Sequence, residues 1–177
     1  MEEKVSVWKA NLNNGVILGL IGIVYTLVVY FLDLTFKPWP GIIFIIITAV
    51  ILFYMIRSYR NNYLHGYITY GQSLGAGVVL YLYYSIIAAI FTYILYRFID
   101  TGLIEKSLAF TEQRMMDRGT PQQAIDSMMA FQRKIQVPGI VAPLSIVGNM
   151  IYGTILSLVV SIFTRKEGNP LVDAPVS

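Results

Sequence analysis

Four long stretches with almost no charged residues constrain this chain more than any other feature. They cover residues 16–34, 39–56, 73–98 and 140–163. A membrane-spanning helix needs about 20 apolar residues to cross roughly 30 Å of hydrocarbon, and each stretch reaches or nearly reaches that length. None of them alternates polar and apolar residues as a β-barrel strand does. They predict an all-α membrane protein, a bundle of four transmembrane helices.

The composition agrees with a surface that faces lipid. Only 13% of the 177 residues are charged, whereas soluble domains carry about a quarter. The net charge of +3 is small and dispersed, so nucleic acid is not expected as a partner. The chain has no cysteine and only one histidine, His65, which rules out thiolate chemistry and a multi-histidine metal site within one chain. We expect no catalytic residues, no metal, no cofactor and no enzymatic activity.

The segments between the stretches suggest one integral membrane domain over residues 1–177. Pro38 and Pro40 break the first turn, the segment 99–139 is a long loop, and the polar tail 164–177 is expected to be disordered. Basic residues directly follow two span ends on the side of the termini; they are Arg57, Arg60, Arg165 and Lys166. By the positive-inside rule we expect an integral membrane protein with both termini in the cytoplasm.

The stretch "TYGQSLGAG", residues 69–77, looks at first like a phosphate-binding glycine loop. Its glycines have the wrong spacing for a dinucleotide fingerprint, and the Lys-Ser/Thr ending of a phosphate loop is missing. Thr69 and Gln72 instead match a capping box at the start of the third span. Gly71 and Gly75 then form a Gly-x-x-x-Gly face, which predicts close approach of another helix.

Small residues line one face of two further spans. In lipid, helices associate through close packing and hydrogen bonds, so such faces predict packing against another helix or a partner. In the first span the face consists of Gly15, Gly19 and Gly22. In the fourth span residues recur every fourth position: Ser145, Asn149, Gly153, Ser157 and Ser161.

Uncharged polar side chains occur deep within two spans. Tyr81 and Tyr84 lie in the third span and Asn149 in the fourth. Together they form a possible polar cavity that could bind an isoprenoid or another lipid, or they satisfy one another's hydrogen bonds. No charged residue lies in the middle of any span, which argues against an ion-coupled transporter.

The loop between spans three and four contains two amphipathic segments, with Gly119 as the stop of the first. Ile104, Leu108 and Met115 share one face, and the second segment shows Ile125, Met128 and Met129. This pattern predicts an amphipathic helical hairpin that binds the bilayer, the rest of the chain or a partner.

Several of these features together resemble one bacterial family. They are "NGVILGLIG" in the first span, "YGQSLGAG" at the start of the third, the charged loop with paired helices, and the Gly/Ser-rich fourth span. The chain is similar to the family known as domain of unknown function forty-one ninety-nine over nearly its whole length. The resemblance implies a four-span inner-membrane protein without an assigned activity.

Three functions remain open from the sequence. The first expectation is a non-enzymatic accessory or scaffold subunit that binds another membrane protein or forms a homo-oligomer within the lipid bilayer. The alternative is a small lipid-binding or lipid-translocating protein that uses the tyrosine and asparagine groups. The third is an oligomeric channel whose pore is lined by the fourth span. A scaffold predicts a filled centre and an exposed small-residue groove, whereas a lipid binder predicts a cavity open to the bilayer.

Overall fold

In a computed structural model of the chain, residues 6–168 are described and six α-helices account for most of them. The helices are α1 (Val7–Phe31), α2 (Trp39–Tyr63), α3 (Tyr70–Ile94), α4 (Leu103–Asp117), α5 (Gln122–Ile135) and α6 (Pro138–Thr164). The π-helical turn Leu95–Ile99 extends α3. Within this part of the chain the extended structure is a single bridge between Ile68 and Lys166.

Four of the helices are long and apolar enough to cross a membrane: α1, α2, α3 with its π-helical turn, and α6. These helices indicate an integral membrane protein. The ends of these helices differ from the ends of the apolar stretches, most clearly in α1. Helix α1 begins at Val7, within a polar segment, because the Ser6 side chain caps it by accepting a hydrogen bond from the Lys9 N–H at 3.3 Å. The helix ends at Phe31, and Asp33 then turns the chain with φ 55°.

Helix α3 packs against α1 and α6 along most of its length, and α2 contacts all three. The residue pairs along these interfaces give the direction of each helix. Pairs between α1 and α3 advance together, from Gly15–Tyr83 to Gly19–Ile87, so these two helices run parallel. Pairs between α3 and α6 advance in opposite directions, from Gly77–Ser157 to Tyr81–Gly153. The turn 32–38 and the segment 100–137 therefore lie at one end, called here the loop end.

The opposite end is held together by the backbone after α6. Ile68 and Lys166 exchange two backbone hydrogen bonds of 2.8 and 2.9 Å, and the Arg60 guanidinium donates to the Thr164 carbonyl at 3.1 Å. These hydrogen bonds hold residues 164–166, the beginning of the tail, against α2 and the α2–α3 link. The prediction for residues 169–177 of the tail lies outside the described residues.

Helices α4 and α5 are separate from the four apolar helices. Leu108, Ile125 and Met129 are buried together between α4 and α5, and Ile104 and Met115 pack beside them. Gly119 adopts φ 70° in the turn between the two helices, a left-handed conformation that a glycine adopts without strain. The Phe110 ring of α4 lies 5.1 Å from the ring of Phe36 in the α1–α2 turn.

Candidate functional site

The glycines of α1 provide space for large side chains of α3. A Cβ atom placed on Gly15 would lie 2.5 Å from the Tyr83 Cβ, and one on Gly22 would lie 2.5 Å from the Tyr84 Cε2. Carbon atoms in ordinary contact lie about 3.5–4.0 Å apart, so no larger residue fits at either position without movement. Gly19 meets Ile87 in the same way. The glycine face of α1 thus lies against α3.

The central residues of the α6 face also lie against α3. Gly153 packs on the buried Tyr81 ring, and a Cβ atom placed on it would lie 2.5 Å from the Tyr81 Cβ. Ser157 is buried and its hydroxyl donates to the Gly153 carbonyl at 2.6 Å. Ser161 is also buried, and its hydroxyl has no hydrogen-bond partner among residues 6–168. The face continues to Asn149 and Ser145 toward the loop end.

The Gly-x-x-x-Gly face of α3 meets no other helix among residues 6–168. Apart from the α3 backbone next to each glycine, no atom of these residues lies within 4 Å of a Cβ atom placed on Gly71 or Gly75, so the close approach of another helix to this face stays a prediction. Gly77 meets α6 instead, and a Cβ atom placed there would lie 2.8 Å from the Ser157 Cβ. The spacing of glycines shows that they share a face, but not which face the neighbouring helix contacts. The capping box, by contrast, is confirmed, with hydrogen bonds of 3.0 and 3.3 Å between Thr69 and Gln72.

Toward the loop end, α1, α3 and α6 enclose a cleft of about 260 Å³. Helix α2 contributes none of its lining residues. At this level α2 contacts α1, since the Tyr25 hydroxyl donates to the Pro40 carbonyl at 2.5 Å. The lining comprises Gly22, Ile23 and Thr26 of α1, Tyr84, Ala88, Phe91, Thr92 and Tyr96 of α3, and Val141, Ser145 and Asn149 of α6.

The cleft brings together two of the three residues predicted to form a polar cavity. Tyr84 and Asn149 both line it, although they belong to different helices. Tyr81 is not among the lining residues, because its ring is turned toward α6 and packs between Gly153 and Tyr152. Its buried hydroxyl lies near Thr48 and Tyr152 but forms no hydrogen bond of good geometry within residues 6–168.

Several polar side chains in the cleft are free to bind a ligand. Thr26 and Ser145 donate to carbonyls of their own helices, at 2.9 and 2.7 Å. The side chains of Tyr84, Tyr96 and Asn149 form no hydrogen bond to any other group in the described part of the chain. Since no charged residue lines the cleft, it offers uncharged donors and acceptors in an otherwise apolar wall. Residues 6–168 also contain no group of three acidic, histidine or cysteine side chains placed to hold a metal.

A charged network lies at the loop end, outside the spans. The Asp100 carboxylate accepts from the Lys106 ammonium at 2.9 Å, from the Tyr30 hydroxyl at 3.2 Å and from the Gly102 N–H at 3.0 Å. The hydrogen bond from Lys106 is the main reason that the pKa of Asp100 lies below its ordinary value. The same contact raises the pKa of Lys106. The network ties the start of α4 to the ends of α1 and α3.

A wider cavity of about 440 Å³ lies at the opposite end, between the α2–α3 link and Lys166. Its lining includes His65, Tyr67, Ile68 and Gln72. All of these except Ile68 are exposed, so the cavity is an open groove at the surface. It therefore differs from the cleft, which lies between apolar helices.

Comparison of the sequence with known protein families finds one family that matches most of the chain. The family described as "Protein of unknown function (DUF4199)" matches residues 13–166, which include most of α1 and all of α2 to α6. The match confirms the resemblance carried by the glycine-rich motifs. No curated protein and no solved structure matches the chain.

Proposed function

Because the chain belongs to the DUF4199 family of proteins of unknown function, we propose a function from its own cleft. The chain is a non-enzymatic integral membrane protein that binds a small lipid between α1, α3 and α6. The observation that carries this proposal is the set of unpaired side chains of Tyr84, Tyr96 and Asn149 around one cleft. A polar group without a partner in hydrocarbon costs several kcal/mol, so a ligand that hydrogen-bonds to these groups would gain affinity.

The lining also selects the class of ligand. It contains amide, phenol and hydroxyl groups but no cation that would bind a phosphate, which favours an uncharged polar group such as an alcohol or a carbonyl. A volume of about 260 Å³ lies just below the range of roughly 300–1,000 Å³ that is usual for ligand sites. The cleft therefore suits a head group or ring whose hydrocarbon tail remains in the bilayer, as in an isoprenoid alcohol.

The test compares lipids retained by three forms of the purified protein. Asn149→Leu removes the amide while keeping a similar side-chain size, and Val147→Leu is the matched control because Val147 lies on the same helix but is 55% exposed. Native mass spectrometry after mild detergent extraction should show a bound lipid on the wild type and on Val147→Leu. Asn149→Leu should release that lipid while keeping its thermal stability.

Two results would contradict the proposal. The wild type could leave the membrane with no bound lipid. Alternatively, Asn149→Leu could retain the same lipid at the same occupancy, which would mean that the cleft is not the binding site. Tyr84→Phe provides an independent check, because it removes only the hydroxyl of a residue that lines the cleft.

The accessory-subunit role expected first from the sequence is a second candidate. It is supported by the open space above Gly71 and Gly75, where a helix of another membrane protein could approach the α3 backbone. Gly75→Leu should then remove a co-purifying protein or a second copy without lowering the thermal stability of the chain. If cross-linking in membranes finds no partner of the wild type, or if Gly75→Leu keeps it, this role fails.

A further inference from the structure

Helix α5 has two adjacent apolar faces, and only one of them is covered. Ile125 and Met129 are buried against α4. Ala124, Met128, Phe131 and Ile135 follow at spacings of four, three and four residues and form the second face. Met128 is 47% and Phe131 60% exposed, which is unfavourable for such large apolar side chains in water.

The position of α5 in the chain places its end next to the start of an apolar helix. Two residues, Gln136 and Val137, separate the end of α5 from the start of α6. Two residues span at most about 7 Å, so the last turn of α5 lies where α6 leaves the apolar region.

Helix α4 is held against the same end of the molecule. Its first turn is tied to Asp100 through the Lys106 ammonium at 2.9 Å, and Phe110 in its middle contacts Phe36 of the α1–α2 turn. A helix that projected straight outward would carry Phe110 away from this turn. Helix α4 is therefore held beside the α1–α2 turn, and α5 packs against it.

We propose that α5 lies on the bilayer surface and inserts its open face, Ala124, Met128, Phe131 and Ile135, at the boundary between head groups and acyl chains. The polar side of α5 adjoins the open face and is turned away from α4; it carries Gln123, Ser127 and Lys134, all exposed, and suits water and head groups. Lys134 in the last turn adds attraction to anionic lipids at the end nearest the membrane, whereas Arg133 is paired with the Glu105 carboxylate at 3.5 Å. This division of faces is that of a helix that lies in the membrane interface.

The absence of cysteine from the sequence allows a direct test. Single variants Met128→Cys and Phe131→Cys, with Ser127→Cys as the matched control on the polar side, are labelled with a nitroxide. The full-length protein is reconstituted at low density into vesicles of phosphatidylethanolamine and phosphatidylglycerol. Accessibility to oxygen, which partitions into lipid, and to a water-soluble nickel chelate is then measured for each label.

At positions 128 and 131 the ratio of oxygen to nickel accessibility should be several-fold higher than at position 127. If all three positions are equally open to nickel, α5 stands in water and the proposal is wrong. It is equally wrong if positions 128 and 131 are shielded from both reagents, because the face is then covered by protein. Since all three side chains are exposed, the substitutions should leave thermal stability unchanged, which verifies that the labelled protein is folded.

Discussion

Replacing Gly153 by alanine tests the contact on which the packing of α3 against α6 depends. The added Cβ atom would lie 2.5 Å from the Tyr81 Cβ and closer still to the ring carbons Cγ and Cδ1. Ordinary contact requires about 3.5–4.0 Å, so the two groups must separate by about 1 Å. The Tyr81 Cβ is bonded directly to the α3 backbone and cannot move by a simple side-chain rotation. The two helices must therefore move apart.

The expected loss follows from comparison with a glycine in open space on the same helix. Overpacking typically costs about 1–3 kcal/mol, while exchanging a helical glycine for alanine stabilises by about 0.5–1 kcal/mol. Gly148 lies on α6 with no atom of residues 6–168 within 4 Å of an added Cβ atom. Gly148→Ala should therefore gain the stabilisation that alanine gives a helix without the cost of overpacking. The difference between the two variants isolates overpacking, so Gly153→Ala should be less stable than Gly148→Ala by about 1–3 kcal/mol.

Both variants can be unfolded reversibly by adding sodium dodecyl sulfate to protein in a mild detergent, with circular dichroism as the readout. Gly153→Leu should lose more stability than the alanine variant, because lipid contacts replace interhelical contacts when backbones separate. Ile46→Leu on the exposed side of α2 should change almost nothing. If Gly153→Ala is as stable as Gly148→Ala, Tyr81 does not pack on Gly153 and the proposed approach of α3 to α6 is refuted.

Three further predictions concern other parts of the chain. Since the folded-state pKa of Asp100 is depressed, Asp100 should keep its contact with Lys106 at neutral pH and lose it as the pH falls through that lowered value. The amide resonance of Gly102 reports this titration, which Asp100→Asn should abolish. A titration at the ordinary aspartate pKa would contradict the prediction. Thr69→Ala should destabilise the protein by about 1 kcal/mol by removing the capping box of α3, and unchanged detergent unfolding would show that the cap contributes nothing. A reporter inserted at Gly119 should lie on the opposite side of the membrane from a reporter fused at the C-terminus. We expect the C-terminal reporter in the cytoplasm of a bacterium. If both reporters lie on one side, the chain does not have four spans.

The features that the sequence predicted well are local ones. An apolar stretch of sufficient length must form a helix in lipid, since each backbone group has to be hydrogen-bonded within its own segment. The four apolar helices could therefore be found without knowing their neighbours, and so could the Thr69–Gln72 cap. The helix ends were less accurate, because helix formation continues into the polar interface: α2 ends at Tyr63, beyond the apolar stretch that ended at residue 56.

The features that could not be predicted depend on which way α3 is turned. Tyr81 and Tyr84 are both buried tyrosines of one helix, and they are three residues apart. That separation turns them about 60° from each other around the axis, so Tyr81 faces Gly153 of α6 while Tyr84 faces Gly22 of α1. Both positions hold a tyrosine, so only the rotation of α3 about its axis determines that Tyr84, and not Tyr81, lines the cleft. The same rotation puts Gly77, rather than Gly71 or Gly75, against α6.

The cleft begins at the last glycine contact of α1. Gly15, Gly19 and Gly22 let the middle of α1 approach α3 closely, and Gly153 does the same for α6. Gly22 lines the cleft, and toward the loop end the lining positions of α1 and α6 carry larger side chains, such as Thr26 and Asn149. Space in lipid that is lined by unpaired polar groups is unstable when empty, because those groups cannot bond to hydrocarbon tails. A chain that needed only to pack could have filled this region with apolar side chains, so its polar lining favours binding a ligand over packing alone.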